Sequence, residues 1–347
     1  MQKSTLVLLA CALISGNLAA LGRTADGAGG ISASVFDVYP GGSIQEAINL
    51  AQSGDTIFVH AGTYYENIVV NKVVSLIGEN SSTTTVYSPV IGGPGVSKVA
   101  IEIVADGAVI QGFTVRFPQG GNNNWGIHAG SISNVTIAEN IVVGCTNGIY
   151  LVNFSENNVI RGNIIVNSSS VGLYLDTSGG NEIYENTVEN NAWYGVNIQG
   201  SLQTRGNKFY HNNFVRNKVL QVLVWDPNNV VSDLWDDGYP SGGNYWSDGS
   251  HSDAQGDGLA DTPRGIPADN PDRYPLMSPF SYWKNPIVGD LNRDMRVDIK
   301  DLMIPAASYG SYPGDSNWNS FADVNKDSKV DVRDIALIAA RYGQTYP

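Results

Sequence analysis

The chain has 347 residues, 42% of them apolar and 15% charged, with 39 glycines and a formal net charge of −13. That length allows two or three domains with ample core, and the low charge content, against a typical ~25%, excludes a long coiled coil or a highly charged disordered chain. The acidic balance excludes a general nucleic-acid binder, which needs clustered Lys and Arg; the wealth of Gly, Asn, Ser, Val and Ile suits β-structure with tight turns.

Residues 1–22 read as an export signal. Lys3 supplies the positive start. An apolar run follows from Leu6 to Leu21, broken by Ser15, Gly16 and Asn17, with small residues at Ala19–Gly22 for cleavage. The run is short and interrupted for a bilayer span, and it continues past Cys11, unlike a lipoprotein signal. No membrane span is therefore expected after cleavage. Losing Cys11 leaves Cys145 alone, so no disulfide framework is available.

Residues 31–225 carry the predicted main domain. Ser43 can cap a short amphipathic helix bearing Ile44, Ala47, Ile48 and Ala51. Gly54-Asp55 ends it, and Thr56-Ile-Phe-Val59 starts a strand. Such a helix would cover the open end of a repeat array, with its unpaired strand edges.

The centre of the chain repeats. Asn134-Val-Thr-Ile-Ala-Glu-Asn140, Asn158-Val-Ile-Arg-Gly-Asn163, Asn181-Glu-Ile-Tyr-Glu-Asn186 and Asn207-Lys-Phe-Tyr-His-Asn212 place their last Asn at steps of 23, 23 and 26 residues. Gly148-Ile-Tyr-Leu151, Gly172-Leu-Tyr-Leu175 and Gly195-Val-Asn-Ile198 keep the same beat. Weaker copies occur at Val109–Phe113, Gly126–Ala129 and Gln221–Val224. Alternating apolar residues at this period predict a solenoid of short strands, best fitted by a right-handed single-stranded parallel β-helix with coils about 4.8 Å apart. Asn140, Asn163 and Asn186 should stack at a turn and bond along the stack.

In each Gly-Ile-x-Leu strand the apolar residues point inward and the residue between them points out. Stacking then gives an outward column of His128, Tyr150, Tyr174, Asn197 and Leu223. A second column carries Val152, Asp176, Gln199 and Trp225. Tyr150, Tyr174, Asn197, Gln199 and Trp225 would suit a sugar ring, although stacked tyrosines also simply stabilise parallel strands. Glycoside hydrolysis usually needs two carboxylates about 5–9.5 Å apart. The columns offer only Asp176 as a catalytic candidate, with Asp226 or Glu156 as the loop residues that could supply a second. Arg161 and Arg205 lie near turns without an evident acidic cluster.

Gly54-Asp-Thr-Ile-Phe-Val-His-Ala-Gly-Thr-Tyr-Tyr-Glu-Asn67, the Asn-rich coils, Gly243-Asn-Tyr-Trp-Ser-Asp248 and Asp272-Arg-Tyr-Pro-Leu276 resemble the NosD-like family of the pectin-lyase-like superfamily, over roughly residues 35–280. The resemblance implies an exported β-helix of a type associated with carbohydrate binding and sugar hydrolysis. The family is named for a periplasmic protein of copper-enzyme maturation. Copper favours clustered His, Met or Cys, whereas His60, His128, His211 and His251 are scattered, as are Met277, Met295 and Met303.

Residues 226–284 form an expected acidic cap. Between 226 and 273 there are ten Asp, no Glu and two Arg, a net −8. Asp253, Gln255, Asp257 and Asp261 occupy positions 1, 3, 5 and 9 of a partial calcium loop, with Gly258 at position 6 and Arg264 where a closing acid belongs. The alternative is a solvated acidic loop with Tyr245 and Trp246 packed beneath it.

Residues 288–347 are clearer. Asp290, Asn292, Asp294, Asp298 and Asp301 stand at positions 1, 3, 5, 9 and 12 of a calcium loop, with the Arg296 carbonyl at position 7. Asp323, Asn325, Asp327, Asp331 and Asp334 repeat this 33 residues later, with Lys329 at position 7. Val297 and Val330 could pair the two loops, and each loop should open a helix, Ile299–Tyr309 and Val332–Tyr342. The pair resembles a dockerin module, a small helical domain with two EF-hand-like loops. That resemblance implies two calcium ions, with a third in 253–261 as a further expectation, and a cohesin-like or other surface partner. Met295 and Ser328 replace the usual Gly at position 6, Pro305 should kink the first helix, and Ile299-Lys300 and Val332-Arg333 replace the hydroxyl pair common in cellulosomal dockerins.

The sequence therefore leads to an exported, extracellular or cell-surface carbohydrate-binding protein, held in an assembly by a calcium-dependent module and acting in polysaccharide catabolism. Two alternatives stay open: a polysaccharide hydrolase or lyase, and a non-catalytic structural envelope solenoid.

Overall fold

The structure is a computed structural model that describes residues 18–20, 33–89, 98–118, 123–200, 206–225, 233–249, 251–267, 269–281, 287–292 and 295–345. Most of the expected export signal, the joint at 282–286, Asp226, Arg205 and Asp294 lie outside these residues. Two compact units are present: 1–208 with 214–233 and 267–269, and 209–213 with 234–266 and 270–347.

The first unit is a parallel β-solenoid. One sheet runs from Val35–Val38 through Thr56–Val59 and Ser75–Gly78 to Glu182–Tyr184, and a second from Gly62–Tyr64 to Thr187–Glu189. The third has seven strands: Ile68–Val70, Lys98–Ile103, Asn124–Gly130, Asn147–Val152, Val171–Asp176, Tyr194–Gln199 and Leu220–Trp225. Leu18–Ala20 joins Val35–Val38 antiparallel; the other pairings are parallel. Inward residues repeat coil after coil. Ile57, Leu76, Ile110, Ile137, Ile160 and Ile183 face one another in register and are at most 1% exposed. Each such side chain contributes roughly 1.5–3 kcal/mol by leaving water. Helix α1 (Ile44–Leu50) starts at Ser43, whose Oγ accepts the Glu46 N–H, and buries Ile44, Ala47 and Ile48 against the first strands. Glu66 strengthens this start by accepting from Ser43 Oγ and the N–H groups of Ile44 and Gln45.

The turns are held by asparagine ladders. Asn163 Oδ1 accepts the backbone and side-chain N–H of Asn140 (3.0 and 3.1 Å), and Asn186 Oδ1 does the same for Asn163 (both 2.9 Å). A second ladder passes from Asn158 to Asn181 and Asn207, then closes on Asp233, whose Oδ1 accepts both Asn207 groups at 2.8 and 3.0 Å. A third links Asn191 to Asn217, and neither the second nor the third was foreseen from sequence. The repeated glycine also has a structural cause. A methyl on Gly148 would lie 2.6 Å from the Gly172 carbonyl oxygen, and one on Gly172 would lie 2.8 Å from that of Gly195. Real Cβ atoms do not approach so closely, so adjacent coils require Gly there.

The second unit has a small core of Leu259, Leu276 and Phe280, packed by Tyr245 and Tyr274. Trp235 stacks on Phe209 at 4.3 Å, and Arg264 lies over Trp246 while its two terminal nitrogens donate to Asp248. A short ladder runs here too, from Asn212 to Asn244 to Asp272. Helices α2 (Ile299–Ala307) and α3 (Val332–Ala339) are shorter than the sequence spacing suggested, and α2 continues through Pro305. Val297 and Val330 are fully buried but do not pair the loops with each other. Val297 pairs with Gly343 and Gln344 after α3, and Val330 with Gly310 and Ser311 after α2. This exchange follows the 33-residue repeat, because each loop is closed by the segment behind the other helix. Ile304 of α2 fills the space that a Cβ on Gly256 would need.

Candidate functional site

The third sheet carries the outward columns read from the sequence. His128 pairs with Tyr150, Tyr150 with Tyr174, Tyr174 with Asn197 and Asn197 with Leu223. Val152, Asp176, Gln199 and Trp225 form the neighbouring column. The Tyr150 and Tyr174 rings stack at 4.6 Å and 13°. Tyr150 Oη donates to Asp176 Oδ2 at 3.4 Å, and Tyr174 Oη to Gln199 Oε1 at 2.5 Å. Asp176 also accepts from Thr177 Oγ1. Trp225 stands 59% exposed at the end of its column, while Asn197 is buried.

Two residues of this face escaped the sequence reading. Trp125 lies 4.9 Å from the His128 ring and edge-on to Tyr150 at 5.0 Å, so the aromatic row is longer than two tyrosines. Glu102 opposes His128 in register, with Oε1 3.9 Å from His128 Nδ1. The signal lay one residue before each repeated Gly: Trp125, Asn147, Val171 and Tyr194 are successive neighbours.

Burial sets the charge state of the face. It lowers the His128 pKa against the pull of Glu102, so the ring is neutral at pH 7. Burial, then the nearby Asp176, raises both tyrosine hydroxyls, which therefore remain protonated donors. His128 Nδ1 and Asn197 Oδ1 are buried without a hydrogen bond among the described residues. Asp176 and Glu102 do not make a hydrolytic pair. Three coil steps separate Glu102 from the strand of Asp176, or about 14 Å at the usual strand spacing, beyond the reach of paired-carboxylate catalysis. Arg161 sits on the first sheet, paired with Glu139 at 2.9 Å.

Of the other three histidines, two are engaged separately, and His251 Nε2 is buried without a hydrogen bond among the described residues. His60 has Asp37 and Glu79 at opposite ring nitrogens and Tyr39 stacked on it, and His211 Nε2 meets the Ser241 carbonyl at 2.8 Å. Among the described residues no three His, Cys, Asp or Glu are grouped to hold a metal. In the partial loop at 253–261, Asp253 accepts the N–H groups of Gly256, Asp257 and Gly258, and Asp261 accepts from Ser252 and Ala254.

The tandem loops fit calcium in donor chemistry, since every ligating position offers oxygen. Asp323 folds into its own loop by accepting the N–H groups of Asp327 and Ser328, and Asn325 and Asp327 are tied in the same way. Asp301 and Asp334 are buried at the loop ends. Asp301 Oδ1 accepts from Leu291 and Asn292, Asp334 Oδ1 accepts from Asn325, and each caps its helix through Oδ2. Met295 and Ser328 take left-handed φ values of 70° and 66°, the conformation for which Gly is usual at that position.

Comparison with known proteins follows these two regions. Residues 48–250, more than half of the chain, match the family described as periplasmic copper-binding protein (NosD). The chain belongs to the NosD family. Behind this NosD region, residues 288–341 match the dockerin type I domain, which implies calcium binding and a cohesin-type partner. Among solved structures, a Geobacillus virus E2 protein, ORF18, is 20% identical over 50% of this chain and 38% of its own, with a TM-score of 0.43. A pectin methylesterase from carrot is 12% identical over 64% of this chain and 90% of its own, with a TM-score of 0.38. An alginate lyase from Paenibacillus is 13% identical over 61% and 98%, with a TM-score of 0.34. No curated protein matches the chain. No helix among the described residues is long and apolar enough to cross a membrane.

Proposed function

We propose that this NosD-family chain is an exported carbohydrate-binding solenoid, fixed in an extracellular or cell-surface assembly by its dockerin-type module. The observation that carries the reading is the row of Trp125, His128, Tyr150 and Tyr174 on one sheet face, beside Asp176, Gln199 and Trp225. Aromatic faces accept the apolar side of a sugar ring, and the neutral His128 and buried Asn197 bring to the same face polar atoms that make no hydrogen bond among the described residues. The separation of Glu102 from Asp176 favours binding over hydrolysis by that pair. In the module, two calcium ions would be held by Asp290, Asn292, Asp294, Asp298 and Asp301 with the Arg296 carbonyl, and by the equivalent set from Asp323 to Asp334 with Lys329. Calcium supplies charge compensation for acids that otherwise repel one another in each loop. These loops then fix the two helices that meet the partner.

Tyr150→Ala with Tyr174→Ala is expected to abolish retention of the mature chain in affinity gels that contain a neutral glycan, without unfolding the coils. Unchanged retention of the double variant across every neutral glycan that holds the wild type would refute this assignment of the face. Polymer shortening by the wild type would make the protein an enzyme and Asp176 the first residue to replace.

A further inference from the structure

We propose that the first three coils carry a second binding strip, on the second sheet, for a carboxylated sugar chain. The strip is a regular array. Thr63 and Tyr65 lie on the first rung, Thr85 and Tyr87 on the next, Thr114 and Arg116 on the third, with Thr63, Thr85 and Thr114 in register and Tyr87 opposite Arg116. Between each pair an inward residue, Tyr64, Val86 or Val115, is buried, so the flanking side chains point away from the core. Tyr65 is 67% exposed, and its ring lies 5.4 Å from that of Tyr87. The Arg116 guanidinium lies over the other end of this aromatic pair, 5.5 Å from the Tyr87 centroid.

The charge pattern identifies the ligand. The chain carries −13, yet the exposed guanidinium of Arg116 forms no ion pair among the described residues and lies over the Tyr87 ring. A planar guanidinium beside aromatic faces suits a carboxylate on a sugar ring, which it grips with two parallel hydrogen bonds. The tyrosines offer stacking surface to the adjoining rings, and Thr63 and Thr85 offer hydroxyls alongside them, while the Thr114 hydroxyl is taken up by the Ser81 carbonyl at 2.6 Å. Coils spaced by about 4.8 Å place successive platforms roughly one sugar residue apart. The strip ends at the fourth rung, where Ile141 and Val143 replace the polar and aromatic groups. This face is on a different sheet from the Tyr150–Tyr174 row, so the two can be tested apart.

The test is affinity measurement of the mature full chain, at fixed calcium, against a polyuronate oligomer, its methyl ester, a sulfated glycan and a neutral β-glucan. The free polyuronate should bind best, and Arg116→Gln should weaken it about tenfold or more, as expected for a lost charge-assisted bidentate contact. Tyr65→Ala should weaken it as well. Tyr150→Ala with Tyr174→Ala should leave it unchanged, which separates this strip from the other face. The proposal is overturned if the wild type does not bind polyuronate, or if Arg116→Gln binds within twofold of wild type. It is also overturned if the ester or the sulfated glycan binds as tightly as the free acid. Arg116 is exposed at a strand end, so the substitution should leave the melting temperature unaltered, and that control keeps a loss of binding from being a loss of fold.

Discussion

Replacing Asn163 with Ala should expose how much the asparagine ladders hold. The side chain is fully buried. Its Oδ1 accepts two hydrogen bonds from Asn140, and the two N–H of its Nδ2 are shared among three acceptors, the carbonyls of Ile137 (2.9 Å) and Arg161 (3.1 Å) and Asn186 Oδ1 (2.9 Å). In Asn163→Ala the Asn140 side chain keeps its bond to the Ile110 carbonyl, but the buried Asn140 backbone N–H loses its acceptor. A buried group left unpaired costs about 1–3 kcal/mol. Adding the broken bonds to Ile137, Arg161 and Asn186 brings the loss to about 3–5 kcal/mol, a large share of a normal domain stability. Guanidinium unfolding of the mature chain measures the global change. Amide exchange shows its location, because a solenoid loses order near the defect first. Protection of the Asn140 amide should fall roughly 100-fold or more, at 1.4 kcal/mol per tenfold. Glu182→Ala, at an exposed outward position, is the control and should stay within about 0.5 kcal/mol. A loss below about 1 kcal/mol in Asn163→Ala, with Asn140 still protected, would show that the ladder fills space and ties nothing.

Two further outcomes concern the second unit. Asp290→Ala with Asp323→Ala removes the first ligand of each loop and should leave residues 288–343 unfolded at millimolar calcium, as chelation should in the wild type; amide spectra that remain dispersed would contradict it. Asp272 is pushed up to about 7 by burial, against the hydrogen bonds it accepts from Trp246, Asn244 and Tyr274. A folded-state pKa above the ordinary carboxylate value means its stabilising contribution is full below about pH 4 and is lost as pH rises through about 7. Melting followed by Trp fluorescence should therefore show less stability at pH 8 than at pH 5. Asp272→Asn should flatten that slope, and an unchanged slope would assign the effect to other acids.

Much of the solenoid was legible because stacking repeats the same demands in every coil. Ile149, Leu151, Leu173 and Leu175 are all buried, and the Tyr150–Tyr174 register follows from the spacing of the glycines before them. What was hidden lies where the spacing varies. The Thr63–Thr85–Thr114 column has steps of 22 and 29 residues, so it shows no period in sequence although its strands align. Trp125 was missed because its successors before the Gly are Asn147, Val171 and Tyr194, which share no chemistry. The crossed closure of the calcium loops was also invisible, since position 8 of a loop does not name the segment that satisfies its backbone. Pattern alone supplied the columns; which rings touch, and which hydroxyl meets which acid, depended on packing.

The direction of the ladders has a consequence for how such a chain changes length. Along each ladder an Asn Oδ1 receives from the coil before it while the Asn backbone N–H and Nδ2 give to the coil after it, and in the Asn158–Asn181–Asn207 ladder a carboxylate, which can only accept, stands at the far end at Asp233. Any interior coil is therefore interchangeable with its neighbour. Excising residues 141–163 would join Asn140 to Ile164, the same dipeptide that a neighbouring coil already contains at Asn163–Ile164, and would hand the bonds of Asn140 to Asn186. The terminator need not move. Growth and shortening by whole turns, through duplication or loss of a gene segment, are thus open to this architecture without redesign of either end.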